Sequence, residues 1–370
     1  MRSNRVLGLI FSNAHDDVLR DFTAIRALGS VPFGGRYRLI DFTLSNMVHA
    51  GIDKVGVITK RNSQSLMDHI GSGKSWGLSR KTDGLYFLTP YDVPENLYDG
   101  RIAALHSLDG FLESSLEEYV VMADCHVIHG MAYDDLIRTH VESGADITVG
   151  YRRGECPRLA DNMVLSMNAK GRVEAIRLGI CPQGEHCCGL GVYVIGRQLL
   201  RELVSEAASC NQMNFDRDIL QQGLSSLHIR GFEMPADTMI ITSPETYFDA
   251  NMALLREDVR ARLFPARVPV YTKVRDCCPA VYGLHSEVSG SLVADGSRVD
   301  GTVRNSILFR DVQIEEGAVV ENSIVMQGTV IHSGAAVGHV ILDKDVEMRE
   351  GRILRGFEGY PIYVGKGRKI

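Results

Sequence analysis

Several absences narrow the reading of this sequence before any motif is considered. No apolar run approaches the ~18 residues of a membrane-spanning helix, so a helical membrane protein is not expected. No two cysteines form a C-x-x-C pair: Cys187-Cys188 and Cys277-Cys278 are adjacent, and Cys125, Cys156, Cys181 and Cys210 stand alone. The segment Cys181-Pro-Gln-Gly-Glu-His-Cys-Cys188 comes nearest to a metal cluster, but a second pair at finger spacing is missing. Free thiols in a reducing compartment are therefore expected, with no metal ligands assigned. Positive charge is not in excess either. A formal net charge of −6 argues against a general nucleic-acid binder, whose affinity rests on neutralising phosphates. A Walker loop is missing too, since Gly73-Lys-Ser75 has Asp68 where that loop needs glycine. The start, Met1-Arg-Ser-Asn-Arg5, leads into a strand without a signal-peptide pattern, and a cytoplasmic location is expected.

What is present reads as two domains, because 370 residues exceed one typical core and the 45% hydrophobic, 23% charged composition is ordinary for globular chains. Val6-Leu-Gly-Leu-Ile-Phe11 is wholly apolar, as expected of a buried parallel strand. Helical and apolar segments then alternate: helices near 41–50, 63–70, 101–114 and 133–143, strands at 54–59, 118–123 and 145–151. This alternation implies βαβ units and a mostly parallel, doubly wound α/β sheet. Ligands of such sheets sit beyond the carboxyl ends of the strands, so the loop at 12–30 is where chemistry is expected. Further on, 163–167 and 172–176 read as a hairpin-like pair, 189–195 as a strand, 197–208 and 215–223 as helices, and Pro244 opens another. The proline-bearing stretch 265–280 reads as a linker.

The remainder changes character. Asn305-Ser-Ile307 returns seventeen residues later as Asn322-Ser-Ile324, and Val340-Ile341 follows after another seventeen. Small and aliphatic residues recur about every six between them, the pattern of a left-handed parallel β-helix built from hexapeptide repeats, here over roughly 281–350. Each coil buries its apolar row only against its neighbours, so the ends need caps or partner chains. The domain division expected is 1–262, a linker at 263–280, and a β-helix domain of oligomerisation or regulation at 281–370.

One run concentrates the chemistry: Val31-Pro-Phe-Gly-Gly-Arg-Tyr-Arg-Leu-Ile-Asp-Phe-Thr-Leu-Ser-Asn46. Gly34 and Gly35 let the backbone approach a ligand closely, and Arg36 and Arg38 offer forked donors suited to phosphate. Asp41 or Thr43 can cap the helix that follows. This run resembles, almost letter for letter, the PFGG-K/R-YR segment of the ADP-glucose pyrophosphorylase (glucose-1-phosphate adenylyltransferase) family. Further points of resemblance are His69-Ile-Gly-Ser-Gly-Lys-Ser-Trp-Gly-Leu78, Tyr98-Asp-Gly-Arg-Ile-Ala103, Gly191-Val-Tyr193 and Tyr247-Phe-Asp-Ala-Asn-Met252. The resemblance implies a nucleotidyltransferase-like domain followed by the β-helix. The remnants of its nucleotide and sugar-phosphate pocket are then Ser12, Asn13, Gly34, Gly35, Arg36, Arg38, Ser72, Gly73, Lys74, Tyr98, Gly100 and Asp218.

The departures matter as much. Counted back without a gap from Gly34, the family's G-G-x-G-x-R-L loop falls on Asn13, Ala14, Asp16, Val18 and Leu19, and the lysine and proline of its K-P-A run fall on Leu28 and Gly29. Glycines and cations are lost, and Asp16-Asp17 would repel a triphosphate. Cys125 stands where an Mg²⁺ aspartate belongs unless a one-residue shift rescues Asp124, and Ile240 takes the place of the second aspartate. The resemblance therefore implies the regulatory, non-catalytic D-type glycogen biosynthesis branch, with no cofactor alone and Mg²⁺ only if catalysis persists. The expected partner is a catalytic paralogue in a heterotetramer, or a second copy of this chain when isolated; no nucleic acid and no membrane. The alternatives are an active adenylyltransferase using Asp124, Arg20 and Arg26, and an acyltransferase using His332 or His339. Arg2, Arg267, Lys273 and Arg368 are candidates for an effector anion site between the domains, with Arg5, Lys366 and Lys369 nearby in type.

Overall fold

The computed structural model describes residues 5–60, 62–89, 100–157, 159 and 161–370. Its first part is one mixed sheet between two apolar layers. The strands are β1 (Val6–Phe11), β2 (Lys54–Ile58), β3 (Gly84–Leu88), β4 (Tyr119–Asp124), β5 (Ile147–Gly154), β6 (Met163–Met167), β7 (Val173–Leu178), β8 (His186–Gly196) and β9 (Ile229–Glu233). Their order is β7-β6-β8-β4-β1-β2-β3, with β5 also paired to β8 and β9 to β5. The strands β4, β1, β2 and β3 run parallel; β8 runs antiparallel to β4, β5 and β6.

Successive side chains of a strand point to opposite faces, and β1 shows why its sequence is apolar throughout. Val6 and Ile10 enter one core layer with α1 (Leu39–His49), while Leu7, Leu9 and Phe11 enter the other with α3 (Arg101–Ser107) and the helix at Arg197–Ser209. The remaining α-helices of seven residues or more are α2 (Gln64–Ile70), α4 (Asp134–Ser143), α5 (Arg197–Ser209), α6 (Pro244–Ala253) and α7 (Glu257–Leu263), with short helical turns at Arg20–Thr23 and Asp109–Ser114. Helix α1 starts one turn earlier than its cap residues suggest. Asp41 is its third residue and accepts from the Arg38 backbone N–H at 3.0 Å, instead of standing at the cap. The expected helix at 101–114 is split at Leu108, and 215–221 forms a π-helical turn.

From Val281 onward, fifteen short strands stack into three parallel sheets of five, the arrangement of a left-handed hexapeptide β-helix. Partner residues of adjacent coils are mostly seventeen apart, as Ile307 with Ile324 and Ile324 with Ile341. The three corners of each coil use left-handed backbone: Asn305, Asn322 and His339 at one, Asp311, Gly328 and Asp345 at the next, Gly317, Gly334 and Gly351 at the third.

The two parts share one apolar core. Ile307, Phe309, Ile324, Met326 and Ile341 pack with Phe22, Phe33, Tyr247 and Leu254 of the first domain. Phe22 lies between the rings of Tyr247 (4.7 Å) and Tyr363 (4.4 Å). A buried ion pair crosses the same boundary, Arg26 donating to both oxygens of Asp343 at 3.0 and 2.7 Å, with Tyr363 also donating to Asp343 at 2.7 Å.

Candidate functional site

Strand register brings the expected reactive centre together. Phe11 at the end of β1 pairs with Asp124 at the end of β4, so the chain beyond β1 and the carboxylate of Asp124 face the same space at the carboxyl edge of the sheet. The loop after β1 is closed on itself. Ser12 donates to the Ile58 carbonyl at 2.7 Å, and Asn13 accepts from the Lys60 backbone N–H at 2.8 Å. Asp16 turns inward, taking the Asn13 amide at 2.6 Å and the Leu28 backbone N–H at 3.0 Å. Burial pushes the Asp16 carboxyl up to about 6. The expected repulsion thus takes another form: the Asp16 carboxylate occupies donors in the reactive loop, while Asp17 is exposed in a surface pair with Arg20.

Neither cation of the active-enzyme alternative reaches this space. Arg20 is exposed, and Arg26 is committed to Asp343 at the domain boundary. Leu28 has no exposed surface, so the lysine that the family pattern places there has no room here.

Asp124 is occupied as well. Arg101, the first residue of α3, donates to its two oxygens at 3.1 and 2.9 Å. Its guanidinium lies 4.2 Å from the Phe11 ring centre and 5.2 Å from that of Tyr193. Burial works against the Arg101 charge, but Asp124, Tyr193 and Asp216 outweigh it and hold the group protonated above its ordinary range. Tyr193 in turn donates to Asp216 at 2.5 Å. Arg101 falls inside the Tyr98–Ala103 stretch of resemblance, but no letter there marks it as the partner of Asp124, 23 residues on.

The residues present do not fit Mg²⁺, which wants several oxygen donors and keeps its waters. Burial raises the Cys125 thiol, which packs against Gly29, and Ile240 packs beside the core in a two-residue strand. Two histidines flank Asp124 instead. The Nε2 atom of His15 lies 3.9 Å from Asp124, and the His15 and His126 rings meet edge to face at 4.4 Å. His126 is buried, and desolvation, then His15 and Arg101, drive its protonation well below the usual range.

Gly34 and Gly35 do adopt positive φ, 59° and 83°, but what their backbone approaches is the rest of this chain. The Gly34 N–H donates to Asn251 at 2.9 Å, and Tyr247 donates to the Pro32 carbonyl at 2.6 Å, so two stretches of family resemblance hold each other. A Cβ on Gly35 would meet Ala294, Ile307 and Leu308 of the β-helix.

Beside this turn, a basic pocket opens between the domains. Arg36, Arg38, Arg275, Arg310 and Lys344 line it together with His69. Arg38 is anchored by Ser65, and His69 sits 2.6 Å from the buried Asp41. Desolvation lowers Arg38 to about 10 and Lys344 to about 7, the latter also pressed by Arg38 and Arg26. The Nε of Arg310 is buried with no hydrogen-bond partner among the described residues. Arg310, Gln327 and Lys344 are seventeen apart, one per coil, a signal that was readable from the repeat.

The other expected residues scatter. Ser72 and Lys74 are exposed on a turn outside the pocket lining, with Gly73 buried beneath. Gly100 is where the backbone presses on Met213, whose carbonyl would lie 2.1 Å from an added Cβ. Asp218 accepts from the N–H groups of Met213 and Asn214 and pairs with Arg217, a local turn role. Arg267 and Arg368 are exposed, and Lys273 donates to the Asp68 carbonyl; none of the three lines the basic pocket. Tyr98 and Arg2 lie outside the described residues. Arg5, Lys366 and Lys369 make surface pairs with Glu118, Asp345 and Glu347. His332 sits between Glu315 and Glu347, and His339 forms a coil corner, so the acyltransferase alternative gains no site. No helix among the described residues is long and apolar enough to cross a membrane.

The nucleotidyl transferase family matches residues 17–229, and the GlmU-like C-terminal hexapeptide family matches residues 280–356. The chain is 32% identical to the glycogen biosynthesis protein GlgD of Bacillus subtilis (strain 168), over 99% of this chain and 97% of that one. It is 35% identical to GlgD of Geobacillus stearothermophilus over 86% of this chain and 83% of that protein. The glucose-1-phosphate adenylyltransferase of Bacillus mycoides (strain KBAB4) is 27% identical over 96% of each chain.

Proposed function

The chain belongs to the nucleotidyl transferase family, among relatives of glycogen biosynthesis, and from that premise we propose that it is a regulatory subunit of ADP-glucose pyrophosphorylase. In this reading it modulates a catalytic paralogue, which makes ADP-glucose from ATP and glucose 1-phosphate, and turns over little or nothing alone. The observation that carries the reading is the Arg101–Asp124 pair. The carboxylate nearest the family's Mg²⁺ position is paired with a fixed guanidinium and flanked by imidazoles instead of further oxygen donors, and the adjoining loop is satisfied internally by Asp16. Losing one preorganised charge contact costs ~10²–10³ in rate, and several are gone here.

The basic interdomain pocket supports the regulatory half. Five cations face it, while two carboxylates that act on its lining, Asp41 and Asp343, are already engaged by His69 and Arg26. A small oxyanion bound there touches both domains at once. The exposed edges of the β-helix, with Val281, Tyr282 and Leu284 at one end and Phe357 and Tyr360 at the other, support assembly with partner subunits.

Adenylyl transfer measured with the purified chain alone, then with a catalytic paralogue, tests this. No turnover alone and a changed rate or effector response of the partner are expected. Strong turnover by the chain alone, abolished by Asp124→Asn, would overturn the reading.

The pocket has its own test. A bound anion raises the Lys344 ammonium from about 7 towards its ordinary value, so binding takes up a proton near neutral pH. Sulfate, which does not titrate in this range, should bind more weakly as pH rises through 7 to 9. Calorimetry in two buffers of different ionisation heat should show proton uptake, and Lys344→Met should remove it.

A further inference from the structure

The disagreement between the family's Mg²⁺ chemistry and the residues present has a positive side. His15, Asp124 and His126 bring one ligand atom each to within 4.8 Å of one another. We propose that this cluster is a site for a divalent transition-metal ion of the Zn²⁺ class, distinct in donor chemistry from an Mg²⁺ site.

Three observations carry it. The donor set is two imidazoles and one carboxylate, which suits zinc, cobalt or nickel, whereas Mg²⁺ selects oxygen ligands. Metal–ligand bonds of ~2.0–2.1 Å in a tetrahedral site separate ligand atoms by roughly 3.4 Å. The 3.9 Å between His15 and Asp124 therefore needs to close by about half an ångström, and the widest separation in the cluster, at most 4.8 Å, by up to about 1.4 Å. Second, His126 is 4% exposed and its Nδ1 has no hydrogen-bond partner among the described residues. A buried ring nitrogen without a partner is costly unless something else satisfies it. Third, His15 is held in left-handed backbone at φ 64°. Its Nδ1 faces Asp161 at 3.5 Å, the carboxylate–histidine arrangement that leaves Nε2 free to bind metal.

Arg101 does not exclude the ion. A carboxylate offers about four lone-pair directions, and the guanidinium uses one on each oxygen. It then orients Asp124 as an outer partner. Three protein ligands leave a fourth position open. The ion would fasten the loop after β1 to the end of β4, and this holds whether or not the chain regulates a partner.

The test is titration of the metal-free full chain with Co²⁺. One equivalent should bind with visible d–d bands of a nitrogen–oxygen site and without thiolate-to-cobalt charge-transfer absorption. Zn²⁺ should displace it, and Mg²⁺ in large excess should not. His15→Ala, at a residue on the rim of the cluster, and His126→Gln should each weaken binding at least about 100-fold. Should His126→Gln fail to fold, His15→Ala still decides. Thiolate bands, binding unchanged in His15→Ala, displacement by Mg²⁺ at comparable concentration, or no binding up to millimolar Co²⁺ would each overturn the assignment.

Discussion

Two side chains decide the character of the reactive pocket, and both are testable by substitution. Arg101 and Asp124 are a buried pair, with side chains 13% and 1% exposed. Removing one partner of such a pair leaves an unpaired buried charge and costs about 3–5 kcal/mol. Arg101→Ala should lose that much in urea unfolding, and adding Asp124→Asn should restore most of it. Asp16 makes a pH signature. Its folded value of about 6 lies above its ordinary 3.8, so the native state holds the proton more tightly than the unfolded chain. This contribution is fully present below pH 4 and fades as pH rises to 6, by up to about 3 kcal/mol at 1.36 kcal/mol per unit. Asp16→Asn should flatten that part of the stability curve relative to the unmodified protein. At this scale the sequence revealed what had been lost, since missing glycines and cations are visible as letters. It did not reveal what replaced them. Whether Asp16 turns inward, and whether Arg101 reaches Asp124, depends on contacts that β1, β4 and α3 create only once folded.

Among the elements, the β-helix was the most legible, because its period repeats in the letters themselves. Its corners were less so, since Asn, Asp, His and Gly share the work. A left-handed conformation costs an ordinary L-residue about 1–2 kcal/mol. Gly334 has φ 69° and nothing closer than 3.9 Å to an added Cβ, so strain alone governs its replacement. Gly334→Ala should destabilise by about 1–2 kcal/mol in thermal or urea unfolding. Asn322→Gly, at an equivalent corner of φ 43°, should change stability by less than about 0.5 kcal/mol. Strand β9 was missed because Ile229-Arg-Gly-Phe-Glu233 carries charge and a central glycine. Its conformation comes from parallel pairing to β5, and Gly231 fits closely beneath Tyr151 and Met167. Tertiary pairing overrode a weak local preference.

For the molecule as a whole, the joint between domains was hidden from sequence. Arg26 and Asp343 are 317 residues apart, and nothing local marks either as a partner of the other. Arg26→Ala should strand Asp343 in the shared core, destabilise by about 3–5 kcal/mol and expose the 265–280 segment to limited proteolysis. Arg26→Met with Asp343→Asn should recover part of the loss. The run at 31–46 also changes meaning at this scale. Its glycine pair identifies the family, yet in this chain it seats the β-helix and borders the basic pocket.

The seventeen-residue row just before one corner limits how this chain can vary in length. Arg310, Gln327 and Lys344 face the first domain together only because the coils between them each step by seventeen residues. One residue inserted anywhere between Phe309 and Lys344 would turn every later side chain out of phase, carrying Asp343 away from Arg26 and Lys344 out of the pocket. The final coil shows the complementary tolerance. Val340 pairs with Ile362, twenty-two residues on, and the surplus near Gly356–Tyr360 follows the last pocket residue. The β-helix thus works as a counted spacer between Arg310 and Lys344, and the extra residues near Gly356–Tyr360 are tolerated because the chain returns to register at Ile362–Val364, with Tyr363 back at Asp343.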